Sequence, residues 1–254
     1  MTVAPPEQVK FALITGAAGG IGRELVSTFR DAGYKVVATD ILKKPKDLIA
    51  DHYLHLDLVR YAGDESYAEQ ANSKIKDITS GNLGALINNA AHQVVKPLEH
   101  LTRKDWIETL NTNLLAPFFL TQALLADLES NKGSIVNISS IHARQTKKGF
   151  VAYSTSKGGL STMTRSICVD LGGRVRINAI EPAAIETEML KSVLEQHPNT
   201  ATLLPLEHPI GRIGKPLEIA RLALWLSSNS CEFIHGECLA ADGGASSMLG
   251  LSQL

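Results

Sequence analysis

The sequence lacks most features that mark a secreted, membrane-spanning or metal-binding protein. Its three cysteines, Cys168, Cys231 and Cys238, do not have the spacing of a metal site or of a disulfide framework. No uncharged apolar run approaches the roughly 18 residues that a bilayer span needs. The N-terminus is polar, contains Pro5 and Pro6, and has no apolar core of a signal peptide. We therefore expect a cytoplasmic protein with free thiols, no metal and no membrane partner.

Strong charge of either sign is also missing. The formal net charge is -1, so no overall field favours nucleic acid or an acidic membrane surface, and we expect no nucleic-acid partner. Two short basic clusters are more simply interpreted as solvated loops. They are Lys43, Lys44 and Lys46, and Arg144, Lys147 and Lys148.

Aromatic residues are scarce, at 5%, whereas hydrophobic residues make up 44% of the sequence. Aliphatic side chains must then fill the interior, as they do in a parallel sheet that is buried on both faces. The length of 254 residues suits one α/β domain with a full core. Since no repeat or flexible linker divides the chain, we expect a single domain over residues 1–254.

Strand-like apolar runs alternate with helical patterns along the chain. This alternation predicts an α/β fold, a single-domain, Rossmann-type, doubly wound parallel sheet of about seven strands with helices on both faces. Strands are predicted at residues 11–15, 35–40, 52–58, 84–90, 133–140, 176–182 and 236–241. Helices are predicted at residues 20–32, 102–128, 153–171 and 216–227, with a bend expected at Pro117.

Residues 186–212 fit this alternation least well. Either a mobile flap over a site or a pair of surface helices would account for them. Because long excursions from compact domains often serve function, we favour a flap that closes over the substrate.

A glycine-rich turn, TGAAGGIG over residues 15–22, directly follows the first predicted strand and opens the first predicted helix. Glycine has no β-carbon, so the backbone can approach a pyrophosphate closely. The positive end of the helix attracts the charge of that group. A dinucleotide-binding turn requires this position between strand and helix. We predict that Gly16, Gly20, Ile21 and Gly22 bind a dinucleotide cofactor.

Polar residues lie at the ends of the next three strands. At Asp40 a carboxylate can accept hydrogen bonds from the adenosine ribose and repel a 2′-phosphate. The sequence therefore predicts NAD rather than NADP, although Lys43 and Lys44 lie nearby. Asp57 is interpreted equally well as a contact to the adenine edge or as the cap of a loop. Asn89 follows the fourth strand, beside the expected adenine ribose.

Tyr153 and Lys157 are four residues apart at the start of a predicted helix, so they share one face. A phenol has an ordinary pKa of about 10, and a neighbouring ammonium lowers that value. Tyr153 can then accept the proton of an alcohol as hydride leaves, or return it in the reverse reaction. Lys157 can also bind the nicotinamide ribose. The pair alone is a weak signal, because a surface Tyr and Lys give the same pattern.

Two further positions complete a candidate catalytic group. Ser140 ends the fifth strand, and its hydroxyl can steady a substrate oxygen on which charge develops. Its neighbour Ser139 would point to the opposite face of the strand. Asn113, in the long predicted helix, can hold a water that connects Lys157 to solvent. The choice of Ser140 over Ser139 depends mainly on a family resemblance.

At these residues the sequence resembles the classical short-chain dehydrogenase/reductase family, over residues 10–244. The glycine turn of the family is TGAAGGIG here, its Asn-Asn-Ala-Gly segment is NNAA at residues 88–91, and its late Asp-Gly-Gly is at residues 242–244. The catalytic tetrad of the family corresponds to Asn113, Ser140, Tyr153 and Lys157. Each motif alone is modest support, but all of them occur in order and at the family spacing.

The resemblance implies an enzyme that transfers a hydride directly between nicotinamide C4 and a secondary alcohol or ketone carbon, with Tyr153 as general acid and base. It also implies that Thr187 and the backbone of Ile185 bind the nicotinamide carboxamide. A homo-oligomer, either a tetramer or a dimer, would form through the two long helices. Four apolar residues fit that interface, although an intramolecular core explains them equally well. They are Leu114, Leu115, Phe118 and Phe119.

Two positions depart from the family pattern. Ala91 replaces the last glycine of Asn-Asn-Ala-Gly, and Ala183 replaces the glycine of the Pro-Gly pair that follows the sixth strand. If Ala183 must adopt a positive φ, its methyl group costs strain. Neither change removes a catalytic group.

The small-molecule alcohol or ketone substrate is not identified by the sequence. We predict substrate contacts from Ser140, Tyr153 and His142, although His142 is interpreted equally well as a solvent-exposed side chain. Arg144 is a candidate partner for a substrate carboxylate or phosphate. Polyols, sugars, hydroxy acids and β-ketoacyl thioesters all stay open. Further pocket candidates are His92, Val94, Gln145, Ile185 and Met189.

Two other functions are compatible with the same fold. An NAD-binding sensor or scaffold protein would bind the cofactor without turnover, but it need not keep Tyr153 and Lys157. An epimerase or dehydratase related to the extended branch of the family would resemble a longer chain with a different glycine spacing. Both are weaker hypotheses than a dehydrogenase.

Overall fold

Seven parallel strands form one sheet in the part of the chain that the structure, a computed structural model, describes: residues 9–188, 190 and 203–248. The strands are β1 (Phe11–Thr15), β2 (Lys35–Asp40), β3 (His52–His55), β4 (Leu83–Asn88), β5 (Ser134–Ile138), β6 (Arg176–Pro182) and β7 (Cys238–Ala241). Their spatial order is β3-β2-β1-β4-β5-β6-β7, and every neighbouring pair is parallel. The doubly wound, single-domain fold predicted from the sequence is confirmed.

Helices cover both faces of the sheet. They are α1 (Gly20–Asp31), α2 (Leu58–Gly63), α3 (Glu65–Thr79), α4 (Arg103–Leu110), α5 (Ala116–Ser130), α6 (Val151–Leu171) and α7 (Pro216–Ser227). Side chains of α1 and α7 pack on one face, and side chains of α2, α3, α5 and α6 pack on the other. In the described residues, no helix combines the length and the apolar character that crossing a bilayer requires.

The residues of β1 show how the sheet is stabilised from both sides. Ala12 and Ile14 pack with α1 and α7, whereas Phe11 and Leu13 point to the opposite face. This alternation follows from the two-residue period of a strand. Every residue of β1 is buried. Burial of apolar surface, at roughly 25 cal/mol per Å², therefore stabilises both layers of helices against one strand.

The strand order determines where a ligand can bind. The chain begins at β1 in the middle of the sheet, adds β2 and β3 on one side, and then crosses to β4 on the other side. The connections after β1 and β4 therefore diverge, which opens a crevice at the carboxyl ends of these strands.

The chain between β3 and β4 differs from the prediction. β3 ends at His55 rather than at residue 58, and two helices that were not predicted, α2 and α3, follow it. Asp57 and Asp64 cap these helices, since each carboxylate accepts hydrogen bonds from backbone N–H groups of the first turn. Such a cap satisfies amides that have no partner within the helix, so it favours helix over strand after Asp57.

The long predicted helix is present, but it contains a π-helical turn, Asn111–Leu115, between α4 and α5. Pro117 lies in the first turn of α5. It has no N–H group, so it cannot donate to the Asn113 carbonyl four residues earlier. The irregularity expected at Pro117 takes the form of this wider turn, and Asn113 is fully buried within it.

Candidate functional site

A cleft of about 1920 Å³ lies at the carboxyl ends of the strands. Of the predicted site residues, Asn113 is not among those that line it. The others all line it: Gly16, Gly20, Ile21, Gly22, Asp40, Asp57, Asn89, Ser140, His142, Tyr153, Lys157, Ile185 and Thr187. The fold thus brings together residues from the carboxyl ends of six different strands, β1 to β6.

The glycine turn follows a path that requires glycine at positions 16 and 22. Gly16 has a φ of +63°, and a β-carbon there would lie 2.7 Å from the Ala90 Cα. A β-carbon at Gly22 would lie 2.0 Å from the Gly16 carbonyl oxygen. A larger residue at either position would force the turn away from β4 or from α1. The turn leads directly into α1, whose first N–H groups are available to an anion.

Hydrogen bonds from Asn89 fix this turn against the end of β4. Asn89 Nδ2 donates to the carbonyl oxygens of Thr15 and Gly16, at 2.9 and 3.0 Å. Thr15 Oγ1 accepts from the backbone amides of Asn89 and Ala90, at 3.0 and 3.1 Å. Asn89 therefore shapes the turn in addition to lining the cleft, a role that the sequence did not indicate.

Two carboxylates line the cleft near the turn. Asp40 Oδ2 accepts from the Ala18 amide at 2.9 Å, and Asp40 Oδ1 accepts from the Leu42 amide at 2.9 Å. Each oxygen keeps a second lone pair that a ribose hydroxyl can use. Asp57 Oδ1 accepts from the first amides of α2, so the capping interpretation of Asp57 is correct, and the residue lines the cleft as well.

Ser140, Tyr153 and Lys157 converge on the cleft from the end of β5 and from α6. Burial raises the pKa of Tyr153 above its ordinary value, and a hydrogen bond with the Ser140 side chain opposes this rise. Lys157 Nζ lies 5.8 Å from the centre of the Tyr153 ring. The expected lowering of the Tyr153 pKa by this ammonium is not found, because desolvation of the phenol has the larger effect.

Lys157 is buried almost completely, with 1% of its surface exposed. Its Nζ donates to the Ile138 carbonyl at 2.7 Å. Burial lowers the pKa of Lys157 to about 7, because desolvation disfavours the charged form. Near neutral pH the side chain is therefore only partly charged, which weakens its effect on Tyr153.

Asn113 lies behind the cleft and connects three segments. Its Nδ2 donates to the His92 carbonyl and to Ser156 Oγ, both at 2.9 Å, and its Oδ1 accepts from the His92 amide at 2.7 Å. Ser156 Oγ in turn donates to the Tyr153 carbonyl at 2.7 Å. The Asn113 side chain thus joins the π turn to the His92 loop and to the first turn of α6.

His142 belongs to an aromatic cluster beside Tyr153. Its ring stacks on Phe150, with centroids 4.3 Å apart and planes 10° apart, and it meets the Tyr153 ring edge-on at 5.7 Å. Its Nδ1 lies 3.0 Å from Thr146 Oγ1. Burial lowers the pKa of His142, with a smaller effect from Lys147. The imidazole is therefore a neutral, half-buried part of the cleft wall at pH 7.

Arg144 is bound to the protein itself and does not line the cleft. Its Nε donates to Glu181 Oε2 and its Nη2 donates to the Cys238 carbonyl, both at 2.5 Å. Glu181 lies on β6 with 2% of its side chain exposed, and it requires a partner for its charge. The interpretation of Arg144 as a partner for a substrate carboxylate or phosphate is therefore wrong.

A chain of polar contacts continues from this ion pair to α6. Ser161 Oγ donates to Glu181 Oε1 at 2.8 Å, and it lies 2.8 Å from Ser139 Oγ. Ser139 Oγ also donates to the Lys157 carbonyl at 3.0 Å. The Ser139 hydroxyl is thus committed to the interior, so Ser140 is the serine whose hydroxyl meets Tyr153.

The segment after β6 lies against the glycine turn. Ile185 forms a parallel bridge with Gly214. Thr187 packs so closely on Gly20 that a β-carbon there would lie 2.9 Å from Thr187 Cγ2. The two segments that the resemblance assigns to the nicotinamide and to the pyrophosphate are therefore adjacent.

These features fit a dinucleotide: a turn without β-carbons, a helix N-terminus and a carboxylate at the end of β2.

Comparison with known proteins agrees with this fit. A sequence model of a family described as Enoyl-(Acyl carrier protein) reductase matches residues 16–246. The 3-oxoacyl-[acyl-carrier-protein] reductase of Thermotoga maritima is 32% identical over 241 residues, which cover 92% of this chain and 97% of that protein. The chain belongs to the classical short-chain dehydrogenase/reductase family.

Two solved structures share the fold of this chain over almost its whole length. The aldohexose dehydrogenase of Thermoplasma acidophilum, in its ligand-free form, has a TM-score of 0.89 and 29% identity, with 97% of this chain and 98% of that chain covered. ElxO with NADP bound has a TM-score of 0.85 and 26% identity, with 95% and 100% covered. Relatives of this chain are thus oxidoreductases that use a nicotinamide cofactor.

The two departures from the family pattern cause no backbone strain. Among the described residues other than glycine, a positive φ occurs only at Ser80 and Lys132. Ala91 and Ala183 therefore keep ordinary backbone angles, and the strain considered for Ala183 is absent. Ala183 N donates to the Ala241 carbonyl at 3.3 Å, which ties the segment to β7.

Several residues in the cleft were not predicted. The additions include Arg23, Asp47 and Phe150, whereas Leu204, Glu207 and His208 belong to the predicted flap, residues 186–212. Phe150 had no local signal, since its place depends on the loop that brings it onto His142. His92 and Gln145 line the cleft as expected, but Val94 does not. Within the predicted flap, Met189 and residues 191–202 lie outside the described residues. Met189 was also a pocket candidate.

Proposed function

We propose that this chain is an NAD-dependent oxidoreductase that transfers a hydride between nicotinamide and a secondary alcohol or ketone. The proposal depends on one observation: Ser140, Tyr153 and Lys157 converge in the same cleft that the glycine turn and Asp40 line. Asn113 completes the group as a positioning residue, because its side chain holds the first turn of α6 through Ser156.

In the oxidative direction, the carbinol carbon loses a hydride and the Tyr153 oxygen accepts the hydroxyl proton. NAD, when bound, supplies the hydride acceptor at nicotinamide C4. Ser140 Oγ accepts from the His142 amide at 3.1 Å. In this proposal its proton, which lies toward Tyr153 in the free site, is donated to the substrate oxygen when substrate is bound. In the reductive direction, Tyr153 returns its proton to the oxygen of the ketone.

The protonation states of the free site suit ketone reduction more directly than alcohol oxidation. The raised pKa of Tyr153 keeps the phenol protonated at neutral pH, which is the form that protonates a ketone oxygen. Oxidation needs the phenolate, which protonated Lys157 favours and which a bound oxidised nicotinamide would favour further. Lys157 also donates to the nicotinamide ribose in this proposal.

The preference for NAD rests on the charges at the end of β2. The Asp40 carboxylate offers acceptors to the ribose diol and repels a 2′-phosphate. In this proposal Asp57 and Asn89 would contact the adenosine half, and Thr187 and the Ile185 backbone would bind the carboxamide. Gly16, Gly20, Ile21 and Gly22 would hold the pyrophosphate.

The substrate pocket in this proposal is the part of the cleft next to Tyr153. Stacked His142 and Phe150 form one wall, and His142 contacts the substrate together with Ser140. Leu204 and His208, which follow the part of the flap outside the described residues, line the same cleft. This arrangement supports the hypothesis that residues 186–212 close over the substrate.

A homo-oligomer, dimer or tetramer, is part of the proposal. Leu115 and Phe118 are 38% and 36% exposed on the long helical segment, and Val151 at the start of α6 is 38% exposed. Such an apolar surface favours contact with a second copy. The three cysteines are free, which suits the cytoplasm.

The proposed activity is tested by an absorbance screen at the NADH band, with NAD and NADP side by side, over a panel of alcohols and ketones. We expect turnover with at least one substrate and a higher kcat/KM with NAD. Coenzyme binding without turnover on the whole panel would instead favour a sensor or scaffold.

A variant of the phenol tests the mechanism. Tyr153→Phe should lower kcat by about 10²- to 10⁴-fold, because the proton-transfer group is removed while the ring and its packing stay. NADH binding, followed by fluorescence, should be retained. Rates similar to those of the wild type would identify a different proton donor.

A further inference from the structure

Arg23, in α1, and Asp47, in the loop after β2, form an ion pair at the wall of the cleft. The Arg23 Nη1 and Asp47 Oδ2 atoms are 2.5 Å apart, and the two side chains are 38% and 74% exposed. Both residues line the cleft that Asp40 lines. The hydrogen bond from Arg23 holds the pKa of Asp47 below its ordinary value, so the pair is fully charged at neutral pH.

One residue of the glycine turn, Ala18, connects this ion pair to Asp40. The Ala18 amide donates to Asp40 Oδ2 at 2.9 Å, and the Ala18 carbonyl accepts from Arg23 Nε at 3.0 Å. Arg23 and the carboxylate that we assign to the adenosine ribose are therefore both hydrogen-bonded to Ala18, and both line the same cleft. A cation at this place is what a 2′-phosphate would need.

The lysines of the same loop do not provide this charge. Lys43, Lys44 and Lys46 are exposed and do not line the cleft. Among the described cleft residues, Arg23 is therefore the cation that is linked to Asp40.

We propose that Asp47 is a coenzyme-specificity residue that acts by occupying Arg23. While Asp47 is paired with the Arg23 guanidinium, that guanidinium is not available to the 2′-phosphate of NADP. The phosphate would then be repelled by the Asp40 carboxylate with no cation to offset the repulsion. Without Asp47, Arg23 can bind the phosphate in a charge-assisted hydrogen bond. The inference rests on the NAD preference proposed above and names a second residue that produces it.

The test measures coenzyme binding rather than turnover. Dissociation constants of NADH and NADPH are determined by fluorescence titration of the full chain at low and at physiological ionic strength. The variants are Asp47→Asn, Arg23→Gln, the double variant and Asp40→Ala. Glu129→Gln is the matched control, because it removes one partner of an exposed ion pair with Arg174, 3.7 Å apart and outside the cleft. Circular dichroism verifies that each variant is folded.

We expect Asp47→Asn to tighten NADPH binding about three- to tenfold while NADH binding changes less than about twofold. In the Arg23→Gln background the same substitution should have little effect. The gain should shrink as salt rises, because exposed charges are screened. Glu129→Gln should leave the ratio of the two constants unchanged.

Two results would overturn the inference. An equal gain in the Arg23→Gln background would show that Asp47 acts only by its own repulsion. The second result is that Asp47→Asn does not tighten NADPH binding while Asp40→Ala does shift the ratio of the NADH and NADPH dissociation constants. This result would remove the role of Asp47 and leave the proposed NAD preference intact. If Asp40→Ala also leaves the ratio unchanged, the proposed preference itself fails.

Discussion

At the scale of the residue, Lys157 shows how burial changes a side chain that the sequence marks as a cation. With 1% exposure and a single carbonyl acceptor, its pKa falls from 10.5 to about 7. The spacing from Tyr153 was readable in the sequence, whereas this desolvation was not, because it depends on how α6 packs on β5. The group therefore titrates near neutral pH.

This shift makes the stability of the protein depend on pH. Between about pH 7 and 10.5 the unfolded chain binds the proton of Lys157 more tightly, so the contribution of this group to the free energy of unfolding rises with pH. We predict that Lys157→Met is more stable than the wild type at neutral pH, and that the advantage shrinks by about 3 to 4 kcal/mol toward pH 10. Urea unfolding of both proteins without coenzyme measures the difference.

The exposed Lys76 provides the control for this experiment. Lys76→Met should show no such pH trend relative to the wild type. A stability gap between Lys157→Met and the wild type that stays constant with pH would mean that Lys157 keeps its ordinary pKa in the fold.

Other residues of the site were identified from their places at element ends together with the family resemblance, and Arg144 shows where position along the chain misleads. Ser140, Tyr153 and the glycine turn lie next to strand and helix ends that the sequence predicts. Arg144 also lies in a loop that borders the site, but its partner Glu181 is 37 residues away along the chain. Only the folded sheet brings the two side chains together, so the sequence could not exclude a substrate contact.

At the scale of the element, the π turn and α6 depend on one buried amide. Asn113→Leu should destabilise the fold by about 2 to 4 kcal/mol, because it leaves the amide and carbonyl of His92 and the Ser156 hydroxyl without their partner. It should also lower kcat, since the first turn of α6 carries Tyr153. Urea unfolding and steady-state kinetics measure the two effects.

A control for this variant is available on the same helical segment. Ser130→Ala removes an exposed hydroxyl that bonds only to the Ala126 carbonyl, and it should change neither stability nor kcat measurably. Unchanged stability in Asn113→Leu would show that water satisfies the His92 and Ser156 groups.

The helices α2 and α3 show why some elements were missed. The alternating residues 52–58 fit the period of a strand, so β3 was extended too far. The capping carboxylates of Asp57 and Asp64 were the signal for two helix starts. Tyr67, Ala71 and Ile75, four residues apart, form the apolar stripe of α3 that packs on the core. The polar residues between these three positions obscured their helical spacing, so the sequence-based prediction missed α3.

At the scale of the whole molecule, the fold was predictable because strand and helix patterns alternate along most of the chain. Which apolar side chains are exposed is harder to predict from the sequence, because it depends on how the helices pack against one another. The structure separates the four apolar residues considered for an interface: Leu115 and Phe118 are exposed, whereas Leu114 and Phe119 are partly buried.

The proposed assembly can be tested at this surface. Phe118→Glu should shift the protein from dimer or tetramer to smaller species, because a carboxylate would be buried in an apolar contact. Light scattering coupled to size-exclusion chromatography measures the mass. Ile49→Glu, at an exposed position outside the cleft, is the control and should not change it. An unchanged mass for Phe118→Glu would place the interface elsewhere.

The ion pair between Arg144 and Glu181 sets a boundary for redesign of the substrate range. A library that randomises the whole loop from residue 142 to 147 would include Arg144 as though it were a wall residue. Most members would then leave the Glu181 carboxylate uncompensated in the interior, at a cost of roughly 3 to 5 kcal/mol. Such a library would be depleted of folded enzymes before any substrate was tried. Variation at His142, Gln145 and Phe150, with Arg144 held constant, would sample new pockets on an intact scaffold.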